Sequence, residues 1–295
     1  MKIITPQMIG EDQLTASNVP ENDAPEWDMA TTYALGNRVM YEHRIYESLA
    51  NMNTGNQPDL FPLQWLNTGA TNRYRMFDGV IGAGTSNPMT VDVSVKTGQV
   101  INAVSLFGLS GSRLDVTLTD QFEGLVYERT MPLQDNSLIT NWYAYFFEPV
   151  VARHDVTLLD LPSYGSATLR VVVDAGEQTA VVGEMVIGRS QTLGVSLFGT
   201  SVGIQDYSRK ERDQFGNIQV VERRFTKLVD YDVSIETGRV SAAQQILAAF
   251  RAKPAVYVGS ELHPETVVYG FYRSFNIVIS GPTQSDATIE VEGLT

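Results

Sequence analysis

The chain has 295 residues, 34 acidic against 21 basic side chains, a formal net charge of −13 and no cysteine. This length is enough for two or three domains with real cores, and the missing cysteines exclude disulfides and thiolate metal sites while suiting a reducing cytoplasm. A negative surface repels phosphate backbones, so no nucleic-acid partner is expected. No run reaches the roughly 18 apolar residues of a membrane span, so no membrane insertion is expected either. Residues 1–27 lack the apolar middle of a signal peptide, so for a protein working outside a bacterium, exit by cell lysis and not by secretion is the expectation.

In chain order, residues 1–26 read as an N-terminal arm and linker. Ile3 and Ile4 suit a short strand or arm, and Asn18, Pro20, Asn22, Asp23 and Pro25 give turn chemistry without a period. Residues 27–70 read as a small aromatic-rich β module. Alternation over 38–41 and 44–48 predicts two strands joined by a turn at Glu42 and His43. So short a segment needs bulky aromatics for its core.

Residues 71–190 alternate over 90–95, 114–118 and 167–171, with an apolar strand at 100–107 and Gly or Asn turns between. That spacing predicts an antiparallel β-sandwich. Trp142, Tyr143, Tyr145, Phe146 and Phe147 read as packing between its sheets.

Residues 191–295 read as a third β-domain with one helix. A strand at 194–198 is followed by a charged hairpin over 207–224, turning at Phe215, Gly216 and Asn217. Val240, Ala243, Ile246, Leu247 and Phe250 fall three and four apart, predicting a helix over 239–251. Thr237 is its expected N-cap and Pro254 its stop. Strands follow at 255–258, 266–272, 275–279 and 288–291. The fold class is therefore mainly β, since one helix cannot serve the crossovers of a parallel sheet. The run Val-Ser-Leu-Phe-Gly occurs at 104–108 and again at 195–199. Both copies read as buried strands ending at glycine.

Catalytic chemistry is not visible. His43, His154 and His263 share no helical metal-ligand spacing. His154 and Asp155 are neighbours, and neighbours on a strand point to opposite faces. The glycines at 82, 84, 108 and 111 precede no helix and no Lys-Ser/Thr pair, as a phosphate loop requires. No loop has the alternating Asp and Asn of a calcium site. The run Arg209, Lys210 and Arg212 is interrupted by Glu211 and Asp213 and reads as solvated. A non-enzyme without cofactor or metal is the expectation.

Trp27, Tyr33, Gly36, Val39, Tyr41, Tyr46, Pro58 and Trp65 form an ordered frame. On these residues, 27–66 resembles the small chitin- and cellulose-binding modules of bacterial chitinases, the family 5/12 type of carbohydrate-binding module. The resemblance implies Trp65, Tyr41 and Tyr46 as candidate glycan-binding residues. In that family an aromatic pair just after the second strand stacks on sugar. The matching stretch here is Leu49, Ala50, Asn51, Met52 and Asn53, so the fold is expected to persist with weak sugar binding.

Residues 71–78, 182–188, 207–213 and 289–294 are similar to stretches of structural proteins of long-tailed bacteriophages. The final segment also resembles distal-tail and tail-tip domains. This implies a non-catalytic virion protein, made in the host cytoplasm and placed in the tail, with copies of itself in a ring and other tail proteins as neighbours. The hairpin then becomes an inter-subunit arm, with Tyr207, Arg209, Lys210, Arg212 and Phe215 as candidate contacts. The alternative function is a virion-attached adhesion protein that binds host-surface glycan. A polysaccharide-degrading enzyme with an appended sugar module is a third class.

Overall fold

The computed structural model describes residues 1–135, 139, 141–147, 151–212 and 215–294. Its first strand, β1 (Lys2–Pro6), does not hang free as an arm. It lies between residues 188–192 on one side and 256–258 on the other, antiparallel to both. Ile3 enters one core and Ile4 another, both fully buried. A strand covered on both faces carries consecutive apolar residues rather than alternation, which accounts for the Ile-Ile pair. The stretch expected to be a linker contains β2 (Leu14–Ser17), paired with residues 93–95. Asn18 extends this contact, its backbone N–H donating to Asp92 O and its side chain to Thr90 O. Backbone hydrogen bonds, invisible in an apolar pattern, thus hold the segment down.

The small module forms from β3 (Thr32–Tyr33), β4 (Arg38–Tyr41), β5 (Arg44–Ser48), β6 (Asn53–Thr54) and β7 (Trp65–Ala70). β4, β5 and β7 make a three-stranded sheet, and β3 pairs with β6. Tyr33, Val39, Tyr46 and Trp65 are its core, with Trp27 and Tyr41 packed against them. Glu42 and His43 both have positive φ (46° and 62°), the turn geometry that best matches strand twist but that favours Gly or Asn. His43 is held there from outside: its Nδ1 lies 2.9 Å from Glu21 Oε1, and its ring stacks on Tyr74 at 4.0 Å. It is a clamp between the module and the rest of the chain, not a free loop histidine.

The expected sandwich is present. The strands of this region are β8 (Thr85–Val95), β9 (Ala103–Phe107), β10 (Arg113–Asp120), β11 (Gly124–Pro132), β12 (Gln134–Asp135), β13 (Val151–Ala152), β14 (Val156–Leu158), β15 (Thr168–Val182) and β16 (Glu184–Thr192), of which β12 and β13 pair only with each other. One sheet runs β11-β10-β15-β8-β2. Its inward residues, such as Val93, Val116 and Val171, meet Leu106, Leu158 and Ile187 of the opposing β14-β9-β16 strands. Those opposing strands do not end a domain. Through β1 they continue into the C-terminal segment as a ten-stranded sheet. The boundary expected at 190 therefore falls inside β16, in the middle of a shared sheet.

The C-terminal strands are β17 (Val195–Ser196), β18 (Ser201–Asp206), β19 (Arg209–Arg212), β20 (Ile218–Val221), β21 (Phe225–Glu236), β22 (Ala255–Ser260), β23 (His263–Val278) and β24 (Gln284–Gly293). The large sheet continues from β1 as β22-β23-β24-β21-β17, with β18 also on β21. The second copy of Val-Ser-Leu-Phe-Gly is not a buried strand. Val195 and Phe198 are open to solvent, whereas Val104, Leu106 and Phe107 are buried.

Two α-helices occur among the described residues, α1 (Trp142–Phe147) and α2 (Val240–Ala249). α2 occupies the expected place and buries Ala243, Leu247 and Phe250 against Tyr231, Tyr257 and Ile289. Ile246 and Val240 are only half-buried at its flanks. Thr237 does not cap it. That residue opens a 3₁₀ turn, Thr237–Arg239, and its hydroxyl donates to Gly281 O. The helix stops before Pro254, at Phe250, and Ala252 then turns the chain with φ of 58°.

Candidate functional site

Beyond β17 the chain leaves the core. β18 pairs with the first half of β21, from Ser201 opposite Asp230 to Asp206 opposite Phe225. The ribbon then continues as β19 against β20, from Arg209 opposite Val221 to Arg212 opposite Ile218. Every residue of β18, β19 and β20 is exposed. Alternation here serves no core, because both faces of the ribbon meet water. Val202, Ile204, Phe215, Ile218, Val220 and Val221 are all exposed apolar side chains. Long open strand edges of this kind are templates for pairing with another chain unless charge or a cover blocks them.

The expected contact residues lie along this arm. Tyr207 sits at its root, with its hydroxyl donating to Glu292 Oε1 at 3.1 Å. Arg209, Lys210 and Arg212 are on β19, where Arg209 pairs with Glu211 and Lys210 with Asp206. Phe215, 81% exposed, lies in the turn region; Asp213 lies outside the described residues. The root is tied to the body by Arg224 Nη2 donating to Gly82 O at 3.2 Å and by Lys227 Nζ to Asp155 Oδ2 at 2.7 Å. Residues 207–224 hold five basic and three acidic side chains, a net of +2, against 16 basic and 31 acidic, a net of −15, on the rest of the chain.

The candidate glycan-binding residues are placed differently from expectation. Trp65 is 2% exposed and Tyr46 6%. Trp65 Nε1 donates to Asn56 O and its ring takes Tyr33 edge-on at 5.2 Å. Tyr41 is half-buried, its ring edge-to-face with Trp27 at 5.6 Å and its hydroxyl accepting from Gln57 Nε2. Trp65 and Tyr46 offer no open ring face for a sugar, and Tyr41 is only partly exposed. The physical reason is size: a core of about four large residues cannot spare its rings. A shallow groove of about 370 Å³ passes Tyr46, Pro58, Asp59, Pro62 and Trp65, reaching only the margins of these side chains.

Open aromatic surface lies instead on α1. Trp142, Tyr143, Phe146 and Phe147 are each 68–78% exposed. Trp142 stacks on Phe146 at 6.2 Å and Tyr143 leans on Phe147 at 4.9 Å. The expected packing between sheets is thereby overturned for these four; the side chain of Tyr145 lies outside the described residues. The sequence signal was the i, i+4 spacing of two ring pairs, which is helical and not a strand period.

The remaining polar chemistry is sparse. Among the described residues no group of three or more His, Asp or Glu converges as a metal site, and no helix is long and apolar enough to cross a membrane. His154 Nδ1 faces Leu109 O, and His263 faces Glu265. Glu184 is buried at the start of β16, where burial pushes its carboxyl up to about 8.

No protein-family description matches the chain, and no curated protein matches it. Among solved structures it is similar to the F5/8 type C domain of a Bacteroides fragilis protein. The identity is 9% and the TM-score 0.28, over 41% of this chain and 82% of that one.

Proposed function

We propose that this chain is a non-catalytic structural protein of a tailed-phage virion. It assembles at the tail tip or baseplate through contacts between copies of itself and with neighbouring tail proteins. The observation that carries the reading is the arm: a two-stranded ribbon, exposed throughout, apolar at six or more positions and cationic on an otherwise acidic body. Opposite potentials steer and orient association, and a second copy supplies the acidic partner. Donor arm and acceptor body are different surfaces, so the contact is head-to-tail, the kind that closes into rings. Mass photometry and cross-linking of the purified protein and of virions test this. The expected result is a closed oligomer whose cross-links include residues 207–224. A chain that stays monomeric in virions and touches no other copy would sink the proposal.

A second reading, adhesion to host-surface glycan, is favoured by α1 rather than by the small module. Its rings are largely exposed, and each aromatic stack on a flat ring contributes about 1–3 kcal/mol in nucleic-acid platforms. On this reading Trp142→Ala abolishes binding on a glycan array and Trp65→Ala changes it only by unfolding the module. Equal binding by wild type and Trp142→Ala would dismiss it.

A further inference from the structure

Among the described residues a pocket of about 170 Å³ opens at the root of the arm. Phe107 and Tyr269 line it, both buried, with their rings stacked at 5.8 Å. Phe225, half exposed on β21, and the Lys227–Asp155 ion pair form other parts of its wall. An apolar cavity of about 150 Å³ takes one benzene ring, and this pocket has room for one phenyl side chain. Its ring-rich wall suits an aromatic guest, because paired rings attract one another beyond the area they bury.

Three phenylalanines among the described residues are more than four-fifths exposed: Phe122, Phe198 and Phe215. Phe122 sits in a turn between Asp120 and Glu123, so it would bring negative charge to an acidic body. Phe198 lies in a turn held to its own sheet, where Leu197 N–H donates to Asp232 O. Of the three, Phe215 is the one on a projecting element. The rings of α1 are engaged with one another in pairs. Phe215 does not serve the pocket of its own copy. Eight residues separate it from Tyr207, up to about 27 Å of ribbon at roughly 3.4 Å per residue. Every residue of β19 and β20 is exposed, so the arm is not folded back on the body.

We propose that Phe215 of one copy seats in the root pocket of the next. The pocket is a receptor for a single aromatic side chain, and its ligand is a second copy of this chain. This rests on the reading of the arm as an inter-subunit contact and supplies the acceptor that contact needs. Knob and hole stand at opposite ends of one arm. A copy that fills its neighbour's pocket therefore still offers its own, and one contact repeated builds a head-to-tail series. Charge orients the entry, since an arm of net +2 meets a body of net −15. An aromatic ring fully desolvated in a pocket is the kind of side chain that dominates an interface.

Sedimentation of the full-length protein over a range of concentrations tests this. Phe215→Ala should raise the concentration at which half the protein is assembled by about thirtyfold or more. Phe122→Ala and Phe198→Ala should leave it within about threefold. The absence of cysteine allows a second readout, with Ile218→Cys near the arm tip and Leu294→Cys at the pocket. Leu294 follows the last strand, and its backbone amide, which donates to Tyr269 O, is untouched by the change. Mixed before assembly, the two variants should join through a short bismaleimide linker, and neither should join to itself. Assembly unchanged by Phe215→Ala, an equal loss in either of the other two alanine variants, or no mixed link would each overturn the pocket as acceptor. Cross-links from 207–224 to another copy would then still uphold the arm. A wild type that is monomeric at every concentration would overturn self-assembly through this pocket. One that also touches no other copy in virions would sink the reading of the arm as well.

Discussion

One five-residue word, Val-Ser-Leu-Phe-Gly, takes opposite environments in this molecule. At 104–108 it lies on β9 between β14 and β16, with Ser105 hydrogen-bonded to Thr157 at 2.9 Å. At 195–199 it skirts the sheet margin, with Phe198 wholly in solvent. Local propensity is the same for both, so burial was set by what pairs on either side. The same lesson applies to the sugar candidates. Trp65 and Tyr46 were visible as important, but the sequence could not tell a ring that makes the core from a ring that meets a ligand. Helical spacing was more informative, because it resolves individual residues. Leu247 is fully buried and Ile246 is not, so their alanine variants should differ. Leu247→Ala should cost about 2–5 kcal/mol in chemical denaturation, and Ile246→Ala less than half as much. Equal losses at the two sites would mean that α2 sits on the sheet in another rotation.

At the scale of elements, the arm and α2 were legible and α1 was not. The arm showed itself through alternating charge and apolar residues around a Gly turn, and α2 through its stripe. The six-residue α1 offers only its two i, i+4 ring pairs as a helical signal, and a cluster of rings suggests a core instead. β2 was hidden for a different reason: four residues joined through their backbones leave almost no side-chain pattern. For β1 the sequence suggests a short strand or arm, and only its partners were hidden. The arm makes few contacts with the body beyond its root. Replacing residues 209–221 with a two-residue Asn-Gly turn should therefore shift the thermal midpoint by no more than about 2 °C. The same variant should lose the oligomer proposed above. A drop of about 10 °C or more in a circular-dichroism melt would show that the arm supports the body's own fold.

Across the whole molecule, three textures in the sequence became two linked masses: a small module, and a large body whose ten-stranded sheet passes from sandwich to C-terminal strands. Mainly-β class and sandwich pairing followed from alternation. The join did not, because it runs through β1, whose partners are 186 and 252 residues away at Ile4, which lies opposite Ser190 and Val256. Sequence texture changes at 190, but hydrogen bonding does not. Sandwich and C-terminal strands should therefore melt together in one calorimetric transition. Ile3→Ala and Ile4→Ala, acting on different faces, should each lower it by the equivalent of about 2–5 kcal/mol. Two well-separated transitions for the body would place a true boundary near 190 after all.

The position of β1 also sets a timetable. On a ribosome adding about 5–20 residues per second, β22 follows β1 by roughly 13–50 s. Through that interval β1 is without its last neighbour, and both of its isoleucines lack a finished interior. Folding of the body must wait until β22 has been made, and contacts this distant in sequence form slowly even then. Throughout that interval the nascent chain carries an unpaired apolar edge, open to whatever other strand it meets.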